Sequence, residues 1–135
     1  MQYVFEQKVL FRHCDPAGIV FFPRYFEMVN DCIEHFFDEV LLWPFEKLLE
    51  TDGVPTAEIR MRFRAPSRHG DRLRLTLDIL RFGRSAMDYR LIASCGGQAR
   101  FEAEATLVHV DRAGRPAPWP DAVRDRTSPT TEERA

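Results

Sequence analysis

The sequence predicts an α+β domain in which one long helix is wrapped by a five-stranded antiparallel sheet. Three observations predict it. The segment from Phe22 to Val40 repeats apolar residues at steps of three and four. Five other segments alternate apolar and polar residues with period two. Their order is one strand, the helix, then four strands, and a single amphipathic helix must bury its stripe against a sheet. The chain has 135 residues, 44% hydrophobic and 30% charged, which suits one domain with a sizeable core.

Residues 3 to 12 read as the first strand, with Tyr3, Phe5, Val9 and Phe11 on one face and Glu6, Lys8 and Arg12 on the other. Pro23 suits the first position of the helix, where its missing N–H costs nothing. Tyr25, Phe26, Val29, Ile33, Phe36, Phe37 and Val40 then share one side, opposite Arg24, Glu27, Asp31, Glu34 and Asp38. A shorter helix is expected after Pro44. Ala57, Ile59, Met61, Phe63 and Ala65 alternate with charged residues, as do Leu73, Leu75, Leu77 and Ile79 with polar ones. The phase shifts at Leu80 and Phe82, which predicts a bulge. Strands over 85–95 and 98–110 are separated by Gly96-Gly97, a hairpin signal. Residues 1–120 are expected to form the domain, and the polar segment 121–135 a disordered tail. This element order fits two known architectures, the hotdog and the cystatin-like folds.

Several function classes are excluded or disfavoured. No apolar run is long enough to span a bilayer, and the N-terminus lacks the pattern of a signal peptide. The cysteines, Cys14, Cys32 and Cys95, are odd in number and show no CxxC spacing, so a reducing cytoplasm is the expected location. His35, His69 and His109 have no spaced partners, so no metal is expected, and His109 reads as a satisfied, partly buried histidine. Net charge is −2, but residues 58–90 hold nine arginines against four acids, a local +5. Most of these arginines alternate with core residues and read as a solvated sheet face. No nucleic-acid motif accompanies them.

The chemistry-bearing segment is His13-Cys14-Asp15-Pro16-Ala17-Gly18-Ile19-Val20-Phe21-Phe22-Pro23. Asp15 precedes a proline and is biased to extended backbone. Gly18 permits a positive φ, so the chain can reverse. The apolar run behind Asp15 is expected to desolvate its carboxylate, which raises basicity. Phe22 offers no side-chain cap and Pro23 no N–H, so the first-turn amides are expected to be free to donate to a carbonyl oxygen. Read from the residues alone, an ordinary turn aspartate is the stronger reading. A Cys14–His13 nucleophile pair is disfavoured, because neighbours on an extended segment point apart.

The stretch CDPAGIVFFPRYFEMV resembles the signature of the 4-hydroxybenzoyl-CoA thioesterases of the hotdog superfamily. The looser resemblance runs from residue 3 to about 120 and includes Gly53 to Pro55 and the FGRS of Phe82 to Ser85. It implies a hotdog acyl-CoA thioesterase with Asp15 as nucleophile or general base and the Phe22 backbone amide polarising the thioester carbonyl. The family often has Tyr where this chain has Phe22, so only the backbone role carries over. His13, Gly18, Val20, Phe21 and Tyr25 are then expected around the substrate, and Arg84 and Ser85 at the coenzyme A phosphates. No cofactor beyond the substrate's own coenzyme A is implied. A homodimer or homotetramer is implied, with sites at the subunit interface. Thioesterases of the YbgC type usually carry a His where this chain has Phe21 and Phe22, which points toward an aromatic, benzoyl or 4-hydroxybenzoyl, acyl group. A short-chain aliphatic thioesterase and a non-catalytic acyl-CoA-binding domain are the alternatives.

Overall fold

The computed structural model describes residues 1–127. Strand β1 spans Gln2–Lys8, helix α1 Pro23–Glu39, helix α2 Phe45–Leu48, strand β2 Thr56–Phe63, β3 Arg72–Phe82, β4 Ala86–Cys95, β5 Gln98–Val108 and helix α3 Asp121–Thr127. The five strands form one antiparallel sheet in the order β1-β3-β4-β5-β2. The predicted α+β architecture, a hotdog fold, is the one observed.

Period two decides which side chains turn inward. Leu73, Leu75 and Leu77 of β3, Met87, Tyr89, Leu91 and Ala93 of β4, and Phe101, Ala103, Ala105 and Leu107 of β5 are all buried. They meet Tyr25, Met28, Val29, Cys32, Ile33, Phe36 and Phe37 of α1 in one core. Small side chains at Ala93, Ala103 and Ala105 leave depth for the helix aromatics; the Tyr25 and Phe101 rings lie 4.6 Å apart. Burial pushes the Cys32 thiol up to about 12. The predicted bulge falls between Ile79 and Arg81. The predicted hairpin turns at Gly96 and Gly97, both at positive φ, as a two-residue turn between twisted strands requires.

Three expectations need correction. The first strand ends at Lys8 rather than residue 12, because Phe11–His13 winds into a 3₁₀ turn that leaves Phe11 81% exposed. Residues 121–127 are not disordered but form α3, which buries Val123 and sends Arg124 to the Gly83 carbonyl and Arg126 to the Leu41 carbonyl. The rest of the expected tail lies outside the described residues. The apolar face of β2 is not covered by the helix: Ile59 and Phe63 are exposed and Met61 half-buried. Because β2 is an edge strand, its outer backbone groups are open as well.

The outer sheet face is the solvated, ion-paired surface expected of the alternating arginines. Arg60 of β2 and Arg64 just beyond its end meet Glu104 and Glu102 of β5, and Arg72 meets Glu6 across β3 and β1. Such exposed pairs contribute little to stability.

After α1 the chain turns through Leu42 at φ 53°, a left-handed conformation that strains a Cβ-bearing residue, and the side chain is 61% exposed. Leu42→Gly removes that strain and loses almost no packing. Net of the extra freedom glycine gives the unfolded chain, it is expected to raise stability by roughly 0.5 kcal/mol, read by denaturant unfolding. A loss of stability would show that Leu42 is not strained.

Candidate active site

The segment between β1 and α1 closes on itself as a small two-armed loop. The Phe21 amide donates to the His13 carbonyl at 2.9 Å, Cys14 bridges Val20, and the Asp15 amide donates to the Ile19 carbonyl at 2.9 Å. Gly18 sits at φ 81°, where the reversal needs the left-handed region, and its amide donates to the Asp15 carbonyl. The Asp15 side chain stays on its own loop. Its Oδ1 accepts from the Ala17 amide at 2.8 Å and more weakly from the Ile19 amide at 3.4 Å. Among the described residues nothing donates to Oδ2. The carboxylate is half-buried. One oxygen therefore holds the loop's shape and the other is open.

A second segment, Pro66 to Asp71, braces this loop from outside. The Val20 amide donates to the Ser67 carbonyl, Ile19 bridges Arg68, and the His69 amide donates to the Gly18 carbonyl. The brace is fixed by Arg100 of β5, whose Nη1 reaches Asp71 at 2.7 Å and the Pro66 carbonyl at 3.1 Å, while Asp71 also accepts from the Arg68 amide. Those hydrogen bonds, the Arg68 amide first and Arg100 second, hold the Asp71 carboxyl below the usual carboxylate range. Sequence reasoning passed over this brace; the turn formers Pro66, Ser67, Gly70 and Asp71 were its signal.

At the start of α1 the expectation of free first-turn amides is corrected in part. Phe22 is already helical, at φ −52° and ψ −35°, so the Arg24 and Tyr25 amides bond to the Phe21 and Phe22 carbonyls. The Phe22 amide remains. Among the described residues it donates to no acceptor, and no side chain caps it. The positive end of the helix dipole lies there too.

The other expected site residues divide. Phe21 and Phe22 are about half exposed and stand edge to face, and Phe22 meets Phe63 of β2 the same way, so an aromatic surface adjoins the loop. Tyr25 is buried; its ring lies between Phe63 and Phe101, and its hydroxyl donates to Ser67 Oγ at 2.9 Å, so it braces the loop rather than facing a ligand. Val20 belongs to the core. His13 is 1% exposed and also turns inward. Cys14 points its thiol at the Leu10 carbonyl. A groove of ≈ 230 Å³ runs between α1 and β2, lined by Phe26, Val29, Ile33, Ile59 and Leu107 among others.

Arg84 and Ser85 are not brought to the loop. They sit in the turn between β3 and β4, whereas the loop is braced at the opposite end of β3. The eleven residues of β3 separate the two ends by about 33 Å at the usual strand rise. Arg84 is exposed, and the turn is held by the Trp119 amide on its carbonyl and by the His109 amide on that of Ser85. His109 is buried and satisfied as expected. Nδ1 lies 2.8 Å from the Ala117 carbonyl and Nε2 2.6 Å from Asp52. Burial alone would raise the Asp52 carboxyl; hydrogen bonds from Thr51 and His109 outweigh it and hold the group low. Among the described residues, no three His, Cys, Asp or Glu side chains converge as a metal site requires, and no helix is long and apolar enough to cross a membrane.

Residues 9–127 match the family description of the thioesterase-like superfamily. The chain belongs to that superfamily. A 1,4-dihydroxy-2-naphthoyl-CoA hydrolase of Synechocystis is 26% identical over 94% of this chain and 98% of its own. Among solved structures, a gentisyl-coenzyme A thioesterase superposes with a TM-score of 0.83 at 25% identity, over 90% of this chain and 99% of that one. A 1,4-dihydroxy-2-naphthoyl-CoA thioesterase from Synechocystis gives 0.85 at 20% identity, over 93% and 95%. As a thioesterase-superfamily enzyme the chain meets the expectation of a hotdog acyl-CoA thioesterase. The relatives named here do not single out the 4-hydroxybenzoyl-CoA branch.

The brace has a pH signature. A depressed carboxyl contributes stability above its unfolded value, near 3.9, and loses that contribution as pH falls toward its lower folded value. Asp71→Asn is therefore expected to lower the unfolding temperature at neutral pH and to flatten its fall below about pH 4. Thermal unfolding across pH checks this. Parallel curves for variant and wild type would rule out Asp71 as a source of acid sensitivity.

Proposed function

We propose that the protein hydrolyses an aromatic acyl-CoA, of benzoyl or hydroxybenzoyl type, to the free acid and coenzyme A. The observation that carries the proposal is the pairing, on one braced loop, of an open Asp15 Oδ2 with an unpartnered Phe22 amide. An amide at a helix start is suited to a carbonyl oxygen that gains negative charge. Asp15 either attacks the thioester carbon or takes a proton from the water that does. In the first route Asp15 and the acyl group form a mixed anhydride that a water then hydrolyses, and in the second water adds to the acyl carbon directly; in both the C–S bond breaks and coenzyme A leaves as its thiolate. The preference for a flat acyl group rests on the exposed Phe21 and Phe22 next to the Asp15 loop, on Phe26 in the groove, and on relatives named for aromatic acyl-CoAs.

The site is completed by a second copy of the chain. One chain cannot bring Arg84 to Asp15, but two chains paired antiparallel through their β2 edges can. Phe63 ends β2 beside the Asp15 loop, and Thr56 starts it beside Leu107, one residue from the Val108 that pairs with Ala86 after the Arg84 turn. A two-fold axis through β2 opposes these ends, so the loop of one subunit faces the Arg84 turn of the other. There Arg84 can meet coenzyme A phosphate oxygens. The exposed apolar face of β2 and Phe22 supply the contact.

Asp15→Asn is expected to keep the fold and lower kcat by about 10²- to 10⁴-fold. Thiol release from a panel of acyl-CoAs is expected to show higher kcat/KM for benzoyl-type than for short aliphatic groups. Near-normal turnover by Asp15→Asn, or binding of acyl-CoA without thiol release by the wild type, would refute the proposal.

A further inference from the structure

The two groups assigned to catalysis lie on opposite arms of one loop, and His13 closes that loop at its base. Its carbonyl accepts the Phe21 amide at 2.9 Å, directly before Phe22, and only Cys14 separates it from Asp15 in the chain. Its ring is tied to the preceding turn: Nδ1 lies 2.9 Å from the Leu10 amide nitrogen, while the His13 amide donates to the Leu10 carbonyl at 3.0 Å. A backbone N–H can only donate, so Nδ1 must carry no proton and the ring proton sits on Nε2. Nε2 is buried and, among the described residues, has no hydrogen-bond partner. No acceptor faces Nε2 to stabilise a positive ring, and a proton added at Nδ1 would set one donor against another.

We propose that His13 is a positioning residue of this thioesterase site: its neutral ring, accepting from the Leu10 amide, fixes the spacing of the Asp15 carboxylate and the Phe22 amide, and protonation of the ring releases that spacing. The inference rests on the hydrolytic reading of the loop. The charges that bear on the ring are Arg12 on its own turn and Arg24, Glu27 and Asp31 on α1. Burial is the largest influence and Arg12 the next, and both push the ring below its ordinary value; Glu27 and Asp31 pull the other way. For a histidine depressed in the folded state, the unfolded chain binds the proton first. The contribution is therefore whole above about pH 6.5 and is lost as pH falls below it.

Two substitutions separate positioning from bulk packing. In His13→Asn the side-chain oxygen can take the place of Nδ1 as acceptor and nothing titrates. In His13→Leu the Leu10 amide loses its partner. His13→Leu is expected to lower kcat by about 10- to 100-fold with KM for a benzoyl-type acyl-CoA little changed, the scale of a misplaced catalytic group. His13→Asn is expected to restore most of that loss at pH 8 and to decline less than the wild type as pH falls below about 6.5. An unchanged kcat in His13→Leu, or an acid limb in His13→Asn that matches the wild type, would overturn the proposal. Ring ¹⁵N spectra of the wild-type protein give a readout that needs no turnover and no variant. A neutral ring protonated at Nε2 at pH 7 is expected, and a ring protonated at Nδ1 or doubly protonated there would overturn the proposal. A wild type that cleaves no acyl-CoA would instead remove the hydrolytic reading and leave the ring assignment standing.

Discussion

The pairing of β3 with β1 on one side and β4 on the other holds the Asp15 loop and the Arg84 turn apart. Its eleven residues are hydrogen-bonded along nearly their whole length, so the sheet acts as a stiff spacer. The Asp15 loop is tied to the segment entering β3, and the Arg84 turn leaves β3 at the far end. α1 runs over the inner face between those ends, from an aromatic contact with Phe101 at its start to a Tyr3–Glu39 hydrogen bond at its finish. Much of the functional account follows from this separation. The proposed pairing of two copies answers that separation, and the uncovered edge strand β2 is the surface it uses.

Within the loop, rigidity comes from backbone hydrogen bonds rather than from packing alone. Asp15 Oδ1 accepts from loop amides, the arms are cross-linked, and the Pro66–Asp71 brace is hydrogen-bonded along the outside. In the proposed reaction, preorganisation of this kind would let the open Asp15 oxygen and the Phe22 amide act without rearrangement when charge develops on the substrate. It also explains why so few side chains are committed there. Tyr25 and Ser67 satisfy each other in the interior.

The fold was largely legible in the sequence because its signals are periodic. The three- and four-residue steps through Tyr25, Val29, Ile33 and Phe36 marked α1, and Gly96-Gly97 marked the hairpin. Asp15-Pro16 and Gly18 marked the turn, since those residues restrict or extend backbone freedom in characteristic ways. What did not show has physical causes too. Trp119 and Val123 are isolated apolar residues in a polar, proline-rich stretch, so they give no period, yet each finds the core. Tyr25 and Val20 stand close to Asp15 in sequence, but the helix period and the loop's pairing turn them inward. The distance from Arg84 to Asp15 depends on strand order and on which end of β3 each adjoins, and no local pattern encodes that.

Subunit complementation tests the shared site most directly. Asp15→Asn and Arg84→Ala chains, each impaired, are unfolded together, refolded as a mixture and assayed for kcat/KM on a benzoyl-type acyl-CoA. If Asp15 and Arg84 of different chains form one site, each mixed dimer carries one wild-type site, and an equal mixture regains about a quarter of wild-type activity, set by random pairing. Activity no greater than the average of the two parent variants would contradict a site shared between subunits.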